Sequence, residues 1–145
     1  MTKIVYDGSG CVFGRLASVV AKELLKGNSV DVINCEAIIV SGDKKVFAKK
    51  VLQKREMGSG GSMKGPKYPR VADRLVKRMI RGMLPRDRMK GQDAYRRLKC
   101  YVGAENLDVL DGHDSGEPEG VKIIKMDHKK PMKFSTIKEI VRLLK

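Results

Sequence analysis

The chain has 145 residues, 41% of them hydrophobic and 33% charged, with a formal net charge of +14. That balance suits one folded domain spanning residues 1–145 with a core of its own, and it excludes a chain too polar to fold. No apolar run approaches the roughly 20 residues that cross a bilayer, and no signal-peptide pattern opens the chain, so a cytoplasmic protein is expected.

Ile4 to Tyr6 is a short apolar run followed at once by Gly8, Gly10 and Gly14, which reads as a strand leaving into a tight turn. From Gly14 to Lys26, Leu16, Ala17, Val20, Ala21, Leu24 and Leu25 recur at helical spacing. Arg15, Ser18, Lys22 and Lys26 take the other side, and Gly27 is a natural stop. Val30–Ile33 and Ala37–Val40 are β-rich runs separated by Asn34-Cys35-Glu36. Ser41-Gly42-Asp43 then supplies a turn and an N-cap for a basic helix to about Arg55, with Phe47, Ala48, Val51 and Leu52 inward. This alternation predicts an α/β layered fold on a largely parallel sheet.

Met57 to Pro69 holds four glycines and two prolines and is expected to be a disordered, flexible loop in the free protein. Its Lys64, Lys67 and Tyr68 would be ordered by a polyanionic partner. A helix over about Val71–Leu84 places Ala72, Leu75, Val76, Met79, Ile80 and Met83 on one stripe. Arg74, Lys77, Arg78 and Arg81 fall almost opposite, as an outward comb. Pro85 ends it, and a second helix is expected from Asp87 or Gln92 to Cys100. Asp108–Gly120 reads as an acidic loop and Val121–Met126 as a last strand. Thr136-Ile137-Lys138-Glu139 is a capping box opening a terminal helix with Ile137, Ile140, Val141 and Leu144 inward.

Charge is confined to one segment. Lys44 to Lys99 carries 19 Lys and Arg against 4 Asp and Glu, and the remainder is close to neutral. Solvated helix faces mix signs, so this concentration points to a polyanion. A membrane surface fits poorly, because the apolar side of the comb helix is needed for the core. Nothing resembles a helix-turn-helix, zinc finger, KH or RRM signature. With no Trp and 5% aromatics, a broad base-stacking platform is not expected.

Other constellations favour structural readings. Gly8-x-Gly10-x-x-x-Gly14 with Glu36 downstream imitates a dinucleotide-binding unit, but it is one residue longer than G-x-G-x-x-G. A tight βα turn is expected instead, with Arg15 at the helix start as a secondary phosphate contact. His113 and His128 match no metal pattern. Cys11, Cys35 and Cys100, odd in number and widely spaced, read as reduced, buried thiols. No nucleophile is paired with a base, so neither catalytic residue, cofactor nor small-molecule substrate is expected. The alternatives kept are a nucleotide-binding enzyme built on the Gly8–Gly14 turn and a free-standing regulator that binds RNA or DNA.

Several segments together resemble the L13 family of large-subunit ribosomal proteins, in its archaeal and eukaryotic-cytoplasmic branch. They are G-R-L-A-S-V-V-A-K-E-L-L-K-G (Gly14–Gly27), V-I-N-C-E-A-I-I-V-S-G-D-K (Val32–Lys44), I-R-G-M-L-P (Ile80–Pro85) with Gly91, and A-Y-R-R-L-K-C-Y-V-G (Ala94–Gly103). The resemblance spans about Val5 to Gly103, and the tail matches loosely. Pro69-Arg70 stands where members often carry Pro-Ser ahead of the basic helix. The chain has no counterpart of the long eukaryotic C-terminal extension, which implies the archaeal branch.

The resemblance implies a three-layer α/β/α fold around a four-stranded, mostly parallel sheet. It implies a structural, non-enzymatic role in the ribosome, binding large-subunit ribosomal RNA beside neighbouring ribosomal proteins and acting early in assembly. Its RNA-facing set would be Arg15, Lys44, Lys45, Arg74, Lys77, Arg78, Arg81, Arg86, Arg88, Lys90, Arg96 and Arg97. Lys64 and Lys67 of the loop join that set on charge.

Overall fold

In a computed structural model of the chain, residues 2–58, 65–103, 122–126 and 129–144 are described. The first three elements form a βαβ unit. Strand β1 (Lys3–Asp7) lies parallel to β2 (Ser29–Ile33), with Ile4 opposite Val30 and Tyr6 opposite Val32, and helix α1 (Phe13–Leu25) crosses between them. The α1 stripe of Leu16, Ala17, Val20, Ala21 and Leu24 is buried, while Arg15, Ser18, Lys22 and Lys26 are exposed. Gly27 closes the helix at φ +102°, where only glycine is unstrained, and its N–H donates to the Leu24 carbonyl at 3.2 Å.

The remaining elements are β3 (Ile39–Ser41), α2 (Lys44–Glu56), α3 (Ala72–Arg81), α4 (Met89–Arg96), β4 (Leu98–Cys100), β5 (Lys122–Lys125), β6 (Phe134–Thr136) and α5 (Ile137–Leu143). The main sheet runs β4-β2-β1-β5 and every pairing in it is parallel, which gives the expected α/β/α layering. Central β2 is buried from Val30 through Ile33, the near-continuous burial of a parallel strand covered on both faces. β3 and β6 make a separate antiparallel pair, with Val40 opposite Ser135.

Local chemistry explains most boundaries. Asp43 caps α2 by accepting from the Lys45 N–H at 2.9 Å, and Ala48 and Val51 are buried with Phe47 and Leu52 packed beside them. Thr136 caps α5, accepting from the Glu139 N–H at 3.4 Å, and Ile137, Ile140 and Leu144 enter the core. Cys11 and Cys35 are buried and Cys100 is half-buried, and none of the three forms a disulfide among the described residues. A hydrogen bond with Cys35, added to burial, pushes the Cys100 thiol well up, so it stays protonated.

Four boundaries differ from the sequence reading. Ala37–Val40 is not one strand: Cys35–Ala37 is a short 3-10 turn entered through Asn34 at φ 52°, and pairing begins at Ile39. The comb helix ends at Arg81 rather than Leu84, with Gly82 as its C-cap. The 100° rotation therefore stops before Met83, which is exposed instead of inward. The following helix ends at Arg96, because Leu98 pairs with Val30 and is fully buried; sheet closure overrides the helical pattern at 98–100. β6 had no counterpart in the sequence reading. Residues 57–58 and 65–69 form neither helix nor strand, while Lys64, His113, His128 and the acidic run 108–120 lie outside the described residues.

Candidate nucleic-acid interface

The glycine-rich turn, the first place to look for a phosphate cradle, has used the donors of its first half. Four consecutive amides are occupied: Gly8 N–H on the Ile33 carbonyl (3.0 Å), Ser9 on Asp7 Oδ1 (2.9 Å), Gly10 on Ala37 (3.3 Å) and Cys11 on Gly8 (3.1 Å). Asn34 Nδ2 donates to the same Asp7 oxygen at 2.9 Å. Gly8 is glycine because a Cβ there would meet Ile38 Cγ1 at 2.7 Å and the Ile33 carbonyl at 2.9 Å. The turn is a βα joint, as its spacing predicted.

The basic face is built on α3. Ala72, Leu75, Val76 and Ile80 are buried, so the opposite side must carry Arg74, Lys77, Arg78 and Arg81. The comb does not simply stand outward: Arg74 is exposed, whereas Lys77, Arg78 and Arg81 are half-buried. Two tyrosines account for this. Lys77 Nζ lies 5.1 Å from the Tyr95 ring centre and the Arg86 guanidinium 5.8 Å from it. The Arg78 guanidinium lies 5.0 Å from the Tyr68 ring centre and Lys54 Nζ 5.4 Å. Each ring thus holds two cations from different parts of the chain, a contact worth roughly 0.5–1 kcal/mol per exposed cation. Tyr68 also packs against the core.

Arg81 lies beside Arg78 and Arg86. Burial, with the like charges of Arg78 and Arg86 beside it, pushes the Arg81 guanidinium down from its usual range. Among the described residues none of Lys77, Arg78, Arg81 and Arg86 is paired with a carboxylate. An anion placed here relieves mutual repulsion as well as making its own contacts.

The other candidate residues scatter more widely. Arg74 borders a shallow hollow with Lys77 and Lys99, and Arg88 and Lys90 are exposed at the start of α4. Lys67 is exposed in the loop, and Arg15 in the first turn of α1. Lys44 and Lys45 open α2, where Lys44 pairs with Glu139 at 3.5 Å; Arg96 pairs with Asp93 at 3.2 Å. Both are exposed pairs that a phosphate can outcompete. Arg97 also serves the fold, since its Nη2 donates to the Leu24 carbonyl at 2.9 Å at the end of α1.

Sequence reasoning missed Lys50, Lys54 and Tyr95. The signal available was the i, i+4 spacing of Lys50 and Lys54, which flank the inward Phe47 and Val51 and so rise at the edge of the α2 stripe.

The family described as Ribosomal protein L13 matches residues 1–107. The chain belongs to this family. It is 38% identical over 140 residues to the large ribosomal subunit protein uL13 of Archaeoglobus fulgidus, covering 97% of this chain and 86% of that one. The corresponding protein of Methanosphaera stadtmanae is 36% identical over 138 residues (94% and 90% covered), and that of Methanosarcina barkeri 46% over 100 residues (68% and 70%). These similarities place the chain in the archaeal branch of L13, a structural and non-enzymatic family.

The geometry explains the I-R-G-M-L-P segment with its downstream glycine. A Cβ on Gly91 would collide with the Pro85 carbonyl oxygen, so only glycine lets α4 begin against the turn that carries Arg86 and Arg88. The L13 segment is therefore a packing device that also aims cations. α3 itself begins at Val71 without a side-chain cap, and Asp73 Oδ1 instead accepts from the Arg74 N–H at 2.6 Å.

Proposed function

We propose that this protein binds and organises large-subunit ribosomal RNA by holding phosphates on the α3 face, and that it does so early in assembly. As a member of the L13 family it is a structural constituent of the large ribosomal subunit, placed in the cytoplasm within the ribosome beside neighbouring subunit proteins. The observation that carries the reading is the group of Lys77, Arg78 and Arg86, held by two tyrosines, with Arg81 beside them, none paired with any described carboxylate. Arginine forks match pairs of phosphate oxygens, and the half-buried stems of Lys77, Arg78 and Arg81 lose little further freedom on binding. Lys44, Lys45, Lys67, Arg74, Arg88, Lys90 and Arg96 add further phosphate contacts, and Lys64 joins them on charge.

The test uses naked large-subunit rRNA transcript and the intact protein. Replacing Arg74, Lys77, Arg78 and Arg81 with Gln is expected to leave the fold intact and weaken binding. The slope of log K against log salt should flatten by roughly 3 to 4 units, one counterion release per lost phosphate contact. An unchanged slope overturns the role of the α3 face. Early action requires binding to the transcript with no other ribosomal protein present, and a requirement for one would defeat that part. Stoichiometric sedimentation with large subunits at moderate salt separates this role from that of a free-standing regulator.

A further inference from the structure

Beside the cation lattice, and sharing Lys54 and Arg78 with it, lies a groove between α2 and α3. Its volume is about 360 Å³. Its floor is apolar and partly aromatic: Phe13 from the start of α1, Phe47 and Val51 from α2, and Met79 from α3. Its rim carries Lys50, Lys54 and Arg78, with Tyr68 forming one wall, and no acidic side chain is among the described residues that line it. Tyr68 fixes two of the three rim cations, because both Lys54 and Arg78 lie over its ring.

We propose that this groove receives one unstacked base of the bound RNA, with the phosphates flanking that base on Lys50, Lys54 and Arg78. The proposal rests on the rRNA-binding reading and adds a discrete site to it. A nucleotide joins a flat apolar ring to an anion a few ångströms away, and the groove presents the complementary pair, a soft apolar floor beneath a cationic rim. Single-stranded RNA is recognised by splaying bases onto aromatic side chains or arginine planes, and Arg78, Phe13 and Phe47 offer both. The thioether of Met79 adapts to a ring of either size. A peptide segment from a neighbouring protein would fill the floor but leave three rim cations facing no counter-charge, which disfavours it.

Two measurements test the site. The intact protein, with its methyl groups labelled, is titrated with AMP, GMP, CMP and UMP, and separately with ribose 5-phosphate. The nucleotides are expected to shift the Val51 and Met79 methyl signals and ribose 5-phosphate to leave them in place. Equal responses to both, or no response to any nucleotide, overturn the proposal. In the second measurement Met79→Trp fills the groove without changing charge. It is expected to weaken binding of the rRNA transcript about tenfold, the scale of one lost base contact, with the salt slope unaltered. Met79→Leu keeps the floor and should bind within twofold of the unaltered protein. A folded Met79→Trp protein that also binds within twofold overturns the site, including the case in which a neighbouring protein occupies it. If Met79→Trp does not fold, the titration decides. The α3 Gln variant reads the broader claim separately: a flattened slope with an unaffected Met79→Trp protein loses only the base site, and an unflattened slope loses the α3 face itself.

Discussion

Two regions of this molecule carry the marks of a phosphate site, and they differ in how far their polar groups are already satisfied. The Gly8–Gly14 turn has glycines, a helix start and an approaching strand, yet the amides of residues 8 to 11 are all consumed within the protein. The α3 face has no loop motif, yet it holds Lys77, Arg78, Arg81 and Arg86 together without a described carboxylate partner. Motif shape is thus a weaker guide to function than whether the polar groups it assembles are already satisfied.

The largest expected effect that separates the two regions is on stability. Gly8→Ala drives a Cβ against Ile38 and the Ile33 carbonyl, and overpacking of this kind costs about 1–3 kcal/mol. Urea unfolding should show that loss, while RNA affinity and its salt slope, measured where the protein stays folded, do not move. Weaker binding by folded Gly8→Ala would return the turn to the interface. The α3 Gln variant should do the reverse. Its stability should change little, because relief of the repulsion that depresses Arg81 is offset by loss of the Lys77–Tyr95 and Arg78–Tyr68 contacts.

Arginine 97 sharpens the same contrast within the basic segment. Arg97→Met removes a charged donor from the Leu24 carbonyl at the C-terminal end of α1, a bond whose loss costs about 1.5–3 kcal/mol. Arg74→Met, at an exposed position, should cost almost no stability but flatten the salt slope by about one unit. If Arg97→Met also flattened the slope, its side chain would be serving RNA as well as the helix.

The pattern of success in reading the sequence follows the range of the forces involved. The α1, α2 and α3 stripes, the Asp43 and Thr136 caps and the Gly27 stop depend on residues within one or two turns, and each is visible in the local order of side chains. The parallel sheet was legible from the alternation of strands and helices. Leu98–Cys100 was not, because it becomes a strand only by pairing with Val30–Val32, some seventy residues earlier. β6 likewise exists through its pairing with β3 across most of the chain. The site divides along the same line. The α3 cations were legible as one helix face, whereas the sharing of Tyr95 between Lys77 and Arg86, and of Tyr68 between Lys54 and Arg78, is tertiary. The commitment of Arg97 to Leu24 was hidden for that reason too, since its partner lies 73 residues away.

The smallest effect tests whether the tyrosines matter beyond packing. Tyr95→Ala removes no charge, so the number of phosphates neutralised and the salt slope should both stay as they are. What it removes is the ring against which Lys77 and Arg86 are held, and each cation then has side-chain freedom to lose on binding RNA. Losing about 0.5 kcal/mol of pre-ordering for each of the two cations predicts a fall in affinity of roughly fivefold at constant slope. Tyr95→Phe keeps the ring face and should restore most of that affinity. A ring that only filled space would give equal affinities for Tyr95→Ala and Tyr95→Phe so long as both stay folded. A difference between them at unchanged slope means that the cations are held in place before the RNA arrives.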